Sequence, residues 1–89
     1  MAEANKRDVL NRLSRLEGQI RGVKKMIEEE VECEKIVGQL SACHSALEGA
    51  TKLVVVHYFG ECLEESRKRG EKEEEAFRRL LSLLLNTKF

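Results

Sequence analysis

The sequence has no Pro and no Trp, and only 1 Tyr and 3 Phe among its 89 residues. Without Pro, nothing forces a helix to kink or stop. Aromatics at 4% and charged residues at 36% argue against a sandwich or barrel and suit long amphipathic helices. No apolar run approaches the roughly 18 residues of a membrane span, so no membrane contact is expected. Residues 1–6 lack the apolar core of a secretory signal, so the chain is expected to be cytoplasmic. There is no Gly-rich phosphate loop, no C-x-x-C and no H-E-x-x-H. Cys43 and His44 are sequence neighbours and diverge by about 100° on a helix, so they form no nucleophile–base pair. No enzyme is expected. With 3 Cys in a cytoplasmic chain, reactive or metal-binding thiols are expected rather than a disulfide framework. A chain of 89 residues makes one domain, residues 1–89, with little core of its own, so self-association is expected to stabilise it.

What is present is helical patterning and segregated charge. The formal net charge is zero, but residues 5–25 carry seven cations against two acids, and residues 26–34 carry five Glu and no base. A basic half of this kind suits a polyanionic partner. Helices are read at about 6–29, 33–69 and 71–87. In the first, Val9, Leu13, Leu16, Ile20, Val23 and Ile27 form an apolar stripe. Arg12, Arg15 and Gln19 flank it, and Arg7, Arg21 and Lys25 lie nearly opposite. With Lys6 and Lys24 these residues form a cluster suited to phosphate contact. Gly18 and Gly22 leave a bare patch on this helix where another surface can come close. Gly70 is a plausible C-cap for the second helix. Ala76, Phe77, Leu80, Leu81, Leu83, Leu84 and Leu85 cover too much of the third helix for a lone surface element, which suggests packing between dimers.

The chain is organised around the second helix. Ile36, Leu40, Cys43, Leu47, Ala50 and Val54 form its apolar stripe. Cys33 and Cys62 project within about 20° of each other but roughly 43 Å apart along the axis. They cannot meet within one chain. A second copy packed antiparallel, with a two-fold axis between Leu47 and Glu48, brings Cys33 of one chain beside Cys62 of the other. Such a site could be oxidised, one thiol attacking a sulfur donor and the other resolving it, or bind a soft metal such as Cu(I). A third ligand on the face of Cys62 would stand one turn earlier, where this chain has Tyr58, a poor Cu(I) ligand. His57 lies about 140° around the helix and is the candidate third metal ligand only through a local bulge. His44 lies too far along the axis, and Cys43 is most simply a core residue.

The run Arg12-Leu13-Ser14-Arg15-Leu16-Glu17-Gly18-Gln19-Ile20-Arg21-Gly22 resembles the R-x-x-R-[IL]-x-G-Q-[IV]-x-G signature of the copper-sensitive operon repressor family (CsoR, RcnR, FrmR and CstR types). The similarity extends over about residues 7–66, with Cys62 at the spacing of the family's second cysteine. It implies an all-α, three-helix protomer, an antiparallel four-helix dimer and a tetramer built of two dimers. It further implies binding to operator double-stranded DNA, lost when an inducer occupies the intersubunit site. Arg12, Arg15, Gln19 and Arg21, helped by Lys6, Arg7, Lys24 and Lys25, are expected to face the DNA. Cu(I)-sensing members use Cys, His and Cys, the His standing where this chain has Tyr58. The two-cysteine pattern without that His is closer to CstR-type persulfide sensors. The expectation is therefore a repressor that senses persulfide at Cys33 and Cys62 and needs no cofactor. The alternatives are Cu(I) or another thiophilic metal at Cys33, Cys62 and His57, or a helical scaffold or metal chaperone that does not bind DNA.

Overall fold

The structure is a computed structural model that describes residues 2–86. It consists of three helices, α1 (Glu3–Glu28), α2 (Cys33–Lys68) and α3 (Glu73–Leu85), with no strand among the described residues. The all-α, three-helix expectation is met. α1 starts at Glu3 rather than Lys6, and α3 at Glu73 rather than Glu71. The expected end of the third helix at Thr87 lies outside the described residues. The chain divides into two compact units, Met1–Val55 and Val56–Phe89, and α2 runs through both.

In the first unit, Val9, Leu16 and Val23 are the buried residues of α1 and recur every seventh position. Leu16 and Val23 pack with Cys43, and Ile36 and Ala46 close over this cluster. Cys43 is thus a core residue, in line with the behaviour of a small apolar thiol. Other residues of the two stripes are not covered. Ile20 and Ile27 of α1, and Val37, Leu40 and Leu47 of α2, remain about half exposed or more. A stripe wide enough for two neighbours here meets only one. In the Gly18 and Gly22 patch, a Cβ at Gly18 would meet only Arg21 Nη2, at 3.7 Å, and one at Gly22 would meet nothing within 4 Å among the described residues.

In the second unit, Phe59 of α2 and Phe77 of α3 meet edge to face at 6.3 Å, and Ala76 is fully buried. Buried with it is one polar side chain, Ser66, at 1% exposure. Leu83, Leu84 and Leu85 stay exposed.

Both connections use the same turn. After α1, Glu30 N–H donates to Ile27 O at 3.1 Å and Val31 N–H to Met26 O at 3.0 Å. After α2, Gly70 N–H donates to Arg67 O and Glu71 N–H to Ser66 O, both at 3.0 Å. This pairing is the Schellman arrangement, which needs a left-handed residue just beyond the helix. Gly70 supplies it at φ 85°, as its sequence position suggests, and Glu30 supplies it at φ 56° with a side chain attached.

Candidate functional site

The basic side chains of α1 fall into separate groups. Arg12, Arg15 and Gln19 come together with Ala46 of α2 around a cavity of about 140 Å³. Arg12 is oriented in two ways. Its Nε donates to Asp8 Oδ1 at 3.4 Å, and its Nη1 lies over α2, 3.5 Å from where a Cβ of Gly49 would stand. Lys6, Arg7, Arg21, Lys24 and Lys25 are exposed but do not line this cavity. Lys25 is spanned by an ion pair to Glu29 at 3.9 Å. On α2, Lys52 pairs with Glu48 at 3.4 Å.

The thiols differ in exposure. Cys33, the first residue of α2, is exposed; Cys43 is buried; Cys62, in the second unit, is partly buried. Cys62 opens on a hollow of about 530 Å³ lined by Gly60, Glu61, Glu64, Glu65 and Lys68 as well. Every lining residue belongs to α2, so the far side of the hollow is open. A hydrogen bond from Arg67 Nη2, at 2.6 Å, and the charge of Arg67 hold the Glu64 carboxyl below the usual range. The hollow is thus lined by three Glu, of which Glu64 is paired with Arg67, and by the cation Lys68. His57 and Tyr58 are partly buried and His44 is exposed. Among the described residues, no group of three or more His, Cys, Asp or Glu side chains is placed to hold a metal within one protomer.

Next to this hollow in sequence stands a network that the sequence reading missed. Arg79 of α3 donates to Glu71 through Nε at 3.2 Å and Nη2 at 3.1 Å, and Nη2 also reaches Ser66 Oγ at 3.0 Å. Arg69 donates to the same hydroxyl at 3.3 Å. The hydrogen bond from Arg79, helped by Ser66, holds the Glu71 carboxyl below its usual value against the opposing effect of burial. Glu71 in turn raises Arg79, with a smaller contribution from Cys62. A buried Ser late in a helix gives no sequence signal of this kind. Gly49 and Ala46 were missed as well.

The model of the family described as metal-sensitive transcriptional repressor matches residues 5–85. The chain belongs to that family. Its members are repressors and not enzymes, as the absence of an assembled acid, base or nucleophile led us to expect. The copper-sensing transcriptional repressor CsoR of Bacillus subtilis (strain 168) is 32% identical over 69 residues, which is 78% of this chain and 68% of that protein. The copper-sensing transcriptional repressor CsoR of Mycobacterium tuberculosis (strain ATCC 25618 / H37Rv) is 34% identical over 59 residues, 66% of this chain and 50% of its own. The copper-sensing transcriptional repressor RicR of the same strain is 36% identical over 59 residues, covering 66% of this chain and 62% of RicR. The chain thus spans between half and about two-thirds of these relatives. No solved structure matches. These family members are named for copper, and the expectation that put persulfide first finds no support among them. No helix among the described residues is long and apolar enough to cross a membrane.

Proposed function

We propose that the chain is a DNA-binding repressor that leaves its operator when Cu(I), or another thiophilic metal ion, is held between Cys33 of one protomer and Cys62 of a second copy. The observation that carries this reading is the placement of the two thiols. One is exposed at the start of α2, and the other opens on an acidic hollow near the end of the same helix. Thiolates are soft ligands that select Cu(I), and the carboxylates around Cys62 favour a cation. The copper-sensing names of the relatives point the same way. The uncovered Val37, Leu40 and Leu47 of α2 support an antiparallel dimer about an axis near Leu47, and the uncovered Leu83, Leu84 and Leu85 of α3 support pairing of dimers into a tetramer. In this reading one cytoplasmic domain of residues 1–89 carries both tasks, with Arg12, Arg15, Gln19 and Arg21, helped by Lys6, Arg7, Lys24 and Lys25, on its DNA face.

Tyr58 favours a second reading. It occupies the position one turn before Cys62, where a third metal ligand on that face would stand, and a phenol is a poor Cu(I) ligand. A site of two thiols alone suits sulfur transfer. One thiolate takes a sulfur from a persulfide and releases a thiol, and the second thiolate then displaces hydrosulfide to close an intersubunit disulfide.

Anaerobic titration of the reduced protein with Cu(I), against a chelator of known affinity, separates the readings when paired with intact-mass measurement after persulfide treatment. Tight binding that is lost in both Cys33→Ala and Cys62→Ala is the expected outcome, and loss in His57→Ala as well would make His57 the third ligand. Weak Cu(I) binding together with Cys33–Cys62 crosslinked dimers would overturn metal sensing in favour of the second reading.

A further inference from the structure

The cavity between α1 and α2 has a chemistry of its own. Its lining residues are Arg12, Arg15, Gln19 and Ala46, with no Asp or Glu among them. A lining with two Arg and a Gln and no acid suits an oxyanion, and Arg forks suit phosphate oxygens in particular. At about 140 Å³ the space is well below the roughly 300 Å³ at which sites for drug-sized ligands begin. It suits a group of a few heavy atoms, not a nucleoside or a peptide.

The α2 side of the cavity matters as much as the α1 side. Ala46 and Gly49 stand three residues apart and so share one face of α2. Arg12 Nη1 lies over Gly49, and Asp8 holds the Nε edge of the same guanidinium. A Cβ alone at position 49 would meet Nη1 at 3.5 Å, an ordinary van der Waals distance. Any longer side chain there must compete with the guanidinium for the same space.

We propose that this cavity seats one backbone phosphate of duplex DNA, and that Gly49 is the positioning residue that keeps Arg12 in place to meet it. The proposal rests on the DNA-binding reading above and adds what α2 does in it. α2 contributes a clearance, not a cation. That clearance lies on the helix that also carries Cys33 and Cys62.

The test uses the full chain and a duplex selected by the wild-type protein from a random-sequence library, with affinity read by fluorescence anisotropy across a salt series. Gly49→Leu is expected to weaken binding about tenfold and to reduce the slope of log affinity against log salt by about one per seat engaged. Gly49→Ala should bind as wild type. Arg12→Gln should weaken binding as much as Gly49→Leu, and the double variant should lose nothing further, because both remove the same contact. Circular dichroism monitors folding; if Gly49→Leu does not fold, the smaller and more flexible Gly49→Gln takes its place with the same expectations. Wild-type affinity and slope in the bulky variants, or losses that simply add in the double variant, would overturn the role of Gly49. Wild-type affinity in Arg12→Gln would instead overturn the DNA face that the proposal rests on.

Discussion

Glu30 holds a backbone shape that side chains avoid. At φ 56° it sits in the left-handed region, where a Cβ costs roughly 1–2 kcal/mol. Gly70 fills the equivalent place after α2 without that cost. The two positions make opposite predictions. Glu30→Gly should stabilise the protein by up to about 1 kcal/mol, part of the gain being offset by the greater freedom of Gly in the unfolded chain. Gly70→Ala should destabilise by about 1 kcal/mol. Urea unfolding at one fixed protein concentration measures both, and equal midpoints for all three proteins would refute the argument. Gly70 was legible in the sequence because Gly beyond a helix carries a recognised signal. The acidic stretch of residues 28–34 was legible as a break, but the residue that makes the turn was not. Nothing distinguishes Glu30 from Glu28 or Glu29 until the hydrogen bonds to Met26 and Ile27 are drawn.

At the scale of elements, α3 is tied to the end of α2 by apolar and ionic contacts together. Phe59 meets Phe77, and Arg79 reaches back to Glu71 and the buried Ser66. The Glu71 carboxyl is depressed below its ordinary value near 4.5 by that hydrogen bonding. A depressed carboxyl stabilises the native state fully above its unfolded value, and the stabilisation is lost as pH falls through the native one. Protection of α3 amides against hydrogen exchange should therefore decrease as pH drops below about 4.5. In Glu71→Gln that part of the pH dependence should be gone, with lower protection already at neutral pH. An unchanged profile in the variant would show that Glu71 does not latch α3. The helices themselves were readable from periodicity, to within a few residues at their ends. The latch was not, because Arg79 and Ser66 are 13 positions apart and on different helices. No local pattern joins them.

At the scale of the whole molecule, the uncovered faces set the main expectation. Leu40 at 50% and Leu47 at 47% exposure belong to an apolar stripe in which Cys43 and Ala50 are buried and Ile36 and Val54 partly buried. Leu47→Glu puts a charge beside the inferred two-fold axis. Sedimentation should then show a smaller species than the wild type, and Cys33–Cys62 crosslinking under mild oxidation should fall sharply. Wild-type sedimentation in this variant would place the dimer seam elsewhere. The proposed antiparallel geometry rests on the positions of Cys33 and Cys62, since one rigid helix cannot bring its own ends together. The small residues that make room for Arg12 were not readable in the same way, because a gap is defined by what comes to occupy it.

The three thiols also give the chain an internal clock. Cys33 meets solvent directly, Cys62 is partly shielded and Cys43 lies in the core cluster with Leu16 and Val23. One alkylating reagent applied to one sample thus samples three environments at once. Modification at Cys43 must wait for the first unit to open, so its rate dates the loss of native packing, while the other two positions report only access.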